Sequence, residues 1–110
     1  MAEKKHVIIF ITVAGVKQAN GIAEALVRQR LAACVNIVKG VTSVFRWQGK
    51  IDRAQEVLLI VKTTAARMEP LMRCVRTLHS YEVPEIIAVP IVAGHQPYLE
   101  WINASVGKPA

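Results

Sequence analysis

The apolar positions change period several times along the chain. Val7 to Val13 is a nearly continuous run of β-branched and aromatic residues. Such a run reads as a central strand, paired on both sides and covered on one face. Ala14-Gly15 breaks it, and from Val16 to Leu31 the spacing becomes helical, with Ala19, Ile22, Ala23, Leu26 and Val27 on one stripe. Glu24 and Arg28 are spaced for a favourable i,i+4 pair. Gly21 costs this helix about 1 kcal/mol relative to Ala, which close packing on a sheet would explain.

Ala33 to Val38 is a second β-branched stretch. Lys39-Gly40 interrupts it and Val41 to Trp47 resumes it, the pattern of a long strand with a bulge or bend at the glycine. Gln48-Gly49-Lys50 reads as a hairpin turn. Ile51 to Thr63 is the third strand, with Glu56, Leu58, Ile60 and Lys62 on one face and Val57, Leu59 and Val61 on the other. Thr64 to His79 is a helix with the stripe Met68, Leu71, Met72, Val75 and Leu78, and Pro70 belongs within its first turn or two. Glu85 to Ile91 is a fourth strand, which Pro90 places at an edge or ends. Pro97 suits the first turn of a short last helix carrying Tyr98, Trp101 and Ile102 on one face. The tail from Gly107 to Ala110 is expected to be loose.

The order β-α-β-β-α-β plus a short C-terminal helix predicts an α/β chain of the α+β kind, a ferredoxin-like sandwich. Both main helices then cover one face of an antiparallel sheet. The other face is left open although its side chains are apolar, so self-association through the sheet is expected.

Composition agrees with one domain over residues 1–110, with an ordered core at about 7–104. Apolar residues make up 53% and charged residues 20%, a balance that leaves apolar surface to bury against other subunits. The net charge of +6 favours anionic partners. An RNA-binding domain of this topology would stack bases on aromatics of its two central strands. Those strands supply only Phe10, so nucleic acid is not expected as a partner. Cys34 and Cys74 are the only cysteines and do not form a Cys-x-x-Cys motif, which points to free thiols in a reducing compartment. Glu3-Lys4-Lys5-His6 before an apolar run imitates a signal peptide, but the run is short and β-branched and reads as a strand. No segment has the ~18–20 apolar residues that span a membrane.

Four stretches, in order and at characteristic spacings, resemble the CutA divalent-cation tolerance family. They are Leu31-Ala32-Ala33-Cys34-Val35-Asn36-Ile37; Phe45-Arg46-Trp47-Gln48-Gly49-Lys50-Ile51, followed by Glu56-Val57 and Lys62-Thr63; His79-Ser80-Tyr81-Glu82-Val83-Pro84-Glu85-Ile86-Ile87-Ala88; and Tyr98-Leu99-Glu100-Trp101-Ile102. The resemblance implies a cytoplasmic homotrimer, similar to the PII signalling proteins in fold and assembly. It also implies a link to metal tolerance, with copper binding reported within the family and no agreed enzymatic reaction. The chain departs from the family pattern in reading Thr12-Val13-Ala14 where a Pro is common after the Thr, and Ser80 where His-Pro-Tyr is usual. Ile11 and Leu78 stand where some members carry a Cys and a second His.

Thiolate and imidazole suit copper and zinc, so Cys34 and His79 are the candidate soft-metal ligands, with Glu85, and Glu82 beside it, as added carboxylates. The competing reading makes Cys34 a small core residue and His79 a C-terminal helix cap. Trp47, Glu56, Lys62, Tyr81, Tyr98 and Trp101 are candidates for a small-ligand cleft between subunits, or else packing anchors and interfacial salt bridges. Glu56 and Lys62 lie roughly 20 Å apart along one strand and cannot touch within it. No nucleophile with a plausible base and no phosphate loop is present, so no catalytic residues are assigned. The expected function is binding a divalent cation, copper or another, or a small ligand at subunit clefts. The alternatives are a PII-like sensor or an assembly scaffold and, behind both, a nucleic-acid binder.

Overall fold

The structure, a computed structural model, describes residues 5–107; the charged start Glu3-Lys4 and the tail beyond Gly107 lie outside the described residues. The elements follow the order β1 (His6–Val13), α1 (Val16–Arg28), β2 (Cys34–Trp47), β3 (Lys50–Thr64), α2 (Met68–Leu78), β4 (Ile86–Pro90) and α3 (Gln96–Ser105). A 3-10 turn, Ala65–Arg67, leads into α2. Regular α-helix therefore starts two residues before Pro70, where the missing amide breaks no intrahelical bond.

The sheet is antiparallel throughout, in the order β2-β3-β1-β4. β1 is central, pairing with β3 on one side and β4 on the other. β4 is an edge strand ending at Pro90, where a residue without an amide costs no ladder bond. Ile9, Ile11 and Val13 of β1 and Val57, Leu59 and Val61 of β3 point to the same face, against Ala19, Ile22 and Leu26 of α1 and Leu71 and Val75 of α2. Fully burying each Leu, Ile or Val side chain is worth about 1.5–3 kcal/mol.

Two features distort the β2–β3 ladder. Lys39 and Gly40 of β2 stand opposite the single residue Val57, between the pairs Val38–Leu58 and Val41–Glu56. Gly40 takes φ 75 at this bulge, a conformation open to glycine at little cost. At the other end Trp47 pairs with Lys50, so the turn is the two residues Gln48 (φ 51) and Gly49 (φ 79). Positive φ at both positions is the turn whose twist matches a hairpin. β1 pairs no further along β3 than Val57. From Val41 and Glu56 outward the hairpin is thus a two-stranded arm about 20 Å long, consistent with an overall extent of 48 × 26 × 22 Å. Trp47 and Ile51 on it are 53% and 65% exposed. Such a ribbon has no core of its own.

Several sequence expectations are corrected by packing. The second sheet face is not wholly open: α3 crosses one end of it. His6 Nε2 bonds Asn103 Oδ1 at 2.9 Å, Tyr98 lies against Cys34, and Ile102 is fully buried. Gly21 faces solvent, and a Cβ there would meet nothing within 4 Å, so no close approach explains it. Val27 and Leu78, at the margins of their stripes, are each 45% exposed. Glu24 and Arg28 are not paired; among the described residues only Arg73 and Glu69 form an ion pair.

α1 ends in an unexpected way. Leu31 N–H bonds the Leu26 carbonyl and Arg30 N–H bonds that of Val27, with Arg30 in the left-handed region at φ 59. This is a Schellman ending with arginine where glycine is usual. The Arg30 guanidinium donates to the Gly107 and Ala104 carbonyls at 2.7 and 2.9 Å, tying α3 to the α1–β2 corner.

Candidate functional site

The register of β1, β2 and β3 sorts the candidate residues into two groups at opposite ends of the sheet. At one end Cys34 is the cross-strand partner of Lys62, whose own partner on β1 is Ile8. Antiparallel pairing puts their side chains on one face. The Lys62 ammonium donates to Asn36 Oδ1 on β2. α3 lays Tyr98 against the Cys34 thiol. Burial, followed by the charge and hydrogen bonding of that thiol, pushes the phenol above its ordinary value. Trp101 sits beside Tyr98 with ring centroids 5.3 Å apart.

At the other end are Glu56, His79 and Tyr81. His79 follows the last turn of α2, where its amide bonds the Val75 carbonyl. The residue is buried, only 8% exposed. Nδ1 accepts the Tyr81 amide at 3.0 Å, while Nε2 lies 2.7 Å from the Thr12 carbonyl. A carbonyl can only accept, so the proton is on Nε2 and the ring is held in that neutral tautomer. The imidazole staples the α2 exit to the end of β1. The Tyr81 ring packs on it at 4.8 Å and donates its hydroxyl to Glu56 Oε2 at 2.8 Å. Burial, then the hydrogen bond and charge of Glu56, push the Tyr81 phenol up to about 12. Glu56 is 8% exposed and borders a cleft of about 210 Å³ with Ala14, Gly15, Val16, Lys39, Gly40 and Gln55. No sequence signal singled out Lys39 and Gly40 for this cleft. They reach it because the bulge turns β2 there.

Cys34 and His79 are thus separated by the length of β1 from Ile8 to Thr12, roughly 13 Å. Glu85 is exposed in the segment before β4, and Trp47 is at the hairpin tip. Among the described residues no three His, Cys, Asp or Glu side chains are grouped to hold a metal ion. Within one chain Cys34, His79 and Glu85 do not converge. Cys74, on α2 beside Gln29, is a free thiol like Cys34. Burial pushes it up, a hydrogen bond to Gln29 partly offsetting this, and it reads as a packing residue.

The protein-family model for the CutA1 divalent ion tolerance protein matches residues 7–105. The chain belongs to that family. The divalent-cation tolerance protein CutA of Thermus thermophilus is 50% identical over 91% of this chain and 97% of its own. That of Escherichia coli is 34% identical over 91% and 89%. Human Protein CutA is 45% identical over 86% of this chain, which spans only 52% of the human length. The solved structure of the Thermus thermophilus CutA1 superposes with a TM-score of 0.92 at 49% identity, covering 93% of this chain and 99% of that one. The periplasmic divalent cation tolerance protein CutA of Archaeoglobus fulgidus superposes at 0.90 and 40% identity, over 93% of this chain and 99% of that one. The ferredoxin-like order of elements read from the sequence is therefore the family's fold. As a CutA1 family member, the chain is associated with divalent-cation tolerance and with no known enzyme class. No helix among the described residues is long and apolar enough to cross a membrane.

Proposed function

We propose that this chain acts as a homotrimer that binds a divalent cation, copper among them, or a small ligand in clefts between subunits, in the service of metal tolerance. One observation carries the reading: the candidate residues form two separate half-sites. Cys34, Lys62, Tyr98 and Trp101 lie at one end of the sheet and Glu56, His79 and Tyr81 at the other. Ile8, Phe10, Leu58 and Ile60 give the face between them an apolar surface that α3 covers only in part. A neighbouring sheet laid on that face would cover it and bring one chain's first group beside another's second. The arm carrying Trp47 would reach the same neighbour, and Glu85 would supply a carboxylate at the rim. The free thiols fit a reducing compartment, and we place the protein in the cytoplasm. Its role is binding, without catalysis.

One feature favours a small ligand over a metal at the Glu56 end. Both His79 nitrogens are engaged, by Thr12 and Tyr81, so coordination would first have to break a buried hydrogen bond. A PII-like sensor is the second reading on that ground.

The test is mass in solution, measured with calorimetric titration of tag-free, metal-stripped protein with Cu²⁺, Cu⁺ under anaerobic reduction, and Zn²⁺. A trimer whose saturable metal binding weakens in Cys34→Ser supports the metal reading. A trimer without specific metal binding leaves the sensor or scaffold. A monomer overturns the shared-cleft reading altogether.

A further inference from the structure

The arm beyond Val41 and Glu56 has two faces of different character. Cross-strand partners share a face, and the side alternates along each strand. Val41, Phe45 and Trp47 therefore lie on the side of Glu56, the second sheet face left to a neighbouring subunit. The other side continues the face of Val57, which the helices cover nearer the core. On the arm it consists of Thr42, Val44, Arg46, Ile51, Arg53 and Gln55, all of them exposed. Val44 and Ile51 are 55% and 65% exposed. Charge on this face is of one sign, that of the chain's net charge of +6. No acidic residue stands on it, since Asp52 pairs with Phe45 on the opposite side. Arg46 is the partner of Ile51 and Arg53 of Val44, which makes the two arginines diagonal neighbours, roughly 7–8 Å apart. Among the described residues neither is in an ion pair. Two cations so placed repel each other, and an anionic surface laid on them would offset that repulsion.

The aliphatic side chains between the arginines narrow the partner's chemistry. A nucleic-acid backbone would meet both guanidinium groups, but its row of phosphates offers Val44 and Ile51 nothing apolar. The headgroup layer of an anionic bilayer sets phosphate and carboxylate groups directly above acyl chains. Arginine stems lie along apolar matter while their heads stay with the charged groups. From the unpaired arginine diagonal, the exposed Val44 and Ile51 beside it and the absence of any acid on this face, we infer that the outer face of the arm docks on an anionic lipid surface. Arg46 and Arg53 meet lipid phosphates, and Val44 and Ile51 enter the headgroup layer. The contact is peripheral and crosses no bilayer. It is independent of the subunit clefts, because Phe45 and Trp47 on the other side of the arm remain available to a neighbour. In a trimer the arms act together, and avidity tightens the contact wherever two reach one surface.

The experiment is co-sedimentation of the full chain, tag-free and metal-stripped, with two kinds of vesicle, mass in solution being measured alongside. One kind is phosphatidylcholine alone and the other an equal mixture of phosphatidylcholine and phosphatidylserine. Binding to the mixed vesicles is expected to be roughly tenfold tighter or more, and to weaken as salt is raised. Arg46→Gln combined with Arg53→Gln weakens it about 25-fold, each arginine contributing about fivefold near a charged surface. Ile51→Ser weakens it about fivefold through lost apolar contact. Lys17→Gln combined with Arg28→Gln, which removes the same charge from the exposed side of α1, changes it by less than about twofold. Several outcomes overturn the inference: no binding to the mixed vesicles, equal binding to both kinds, or binding indifferent to the arginine pair or to Ile51→Ser. An equal loss in the α1 variant does the same, because overall charge then explains the binding. A mixed-sequence DNA duplex is titrated in parallel, and DNA binding that needs the arginines while vesicles fail gives the face to nucleic acid. Loss of assembly in the arginine variant gives it to subunit packing, and either result overturns the lipid contact.

Discussion

Tyr81 donates its phenolic hydrogen to Glu56 across 2.8 Å, locking the loop that leaves α2 to β3 beside the bulge of β2. The same phenol is pushed up to about 12 from its ordinary value of 10.0 by burial first and Glu56 second. The fold therefore prefers the neutral phenol. That contribution to stability is whole below pH 10 and is lost as pH rises from there through about 12. Ultraviolet titration is expected to show both tyrosines ionising above the ordinary value, with Tyr81 at about 12. In Glu56→Gln that late step moves part of the way back, since burial remains. Tyr81→Phe, which strips a buried carboxylate of its donor, is expected to cost about 1–3 kcal/mol in urea unfolding.

His79 joins two chain segments with both ring nitrogens. Nitrogen-15 spectra of the ring are expected to show the proton on Nε2. His79→Ala leaves the Thr12 carbonyl and the Tyr81 amide without partners, at a cost of about 1–3 kcal/mol for each group that water cannot reach. Amide exchange at Tyr81 is expected to accelerate in that variant. An unchanged exchange rate would sink the staple role.

Arg30 combines a left-handed backbone with two carbonyl contacts to the end of α3. Arg30→Ala loses the contacts and keeps the strain, whereas Arg30→Gly loses the contacts and relieves it. The glycine variant is expected to be the more stable of the two by about 1 kcal/mol. Both should speed hydrogen exchange in the last turn of α3.

Gly21 lies on the exposed side of α1 with open space around it. Gly21→Ala is expected to raise stability by up to about 1 kcal/mol through helix propensity alone. A loss of stability would show that this face is covered in the assembled protein.

Much of the fold was legible in the sequence because burial imposes a period. The alternation through Val57, Leu59 and Val61 separated the two faces of β3, and the β-branched run from Val7 placed β1 at the sheet centre. Gly40 and Gln48-Gly49 marked the bulge and the turn, because positive φ restricts which residues stand there. Helix margins were less legible: Val27 and Leu78 sit on stripes wider than the surface that covers them.

The candidate site was legible as a set of residues and not as a shape. Glu56, Tyr81, His79, Cys34, Lys62 and Tyr98 were all singled out from one dimension, but their division into two ends was not. By itself the sequence determined the elements, their order and the family, since those depend on local period, turn chemistry and motif spacing. Only the tertiary structure decided that α3 crosses the second sheet face, that Arg30 ends α1 and holds α3, and that Lys39 and Glu56 border one cleft. Those facts depend on contacts between residues far apart in the chain, which no local pattern encodes.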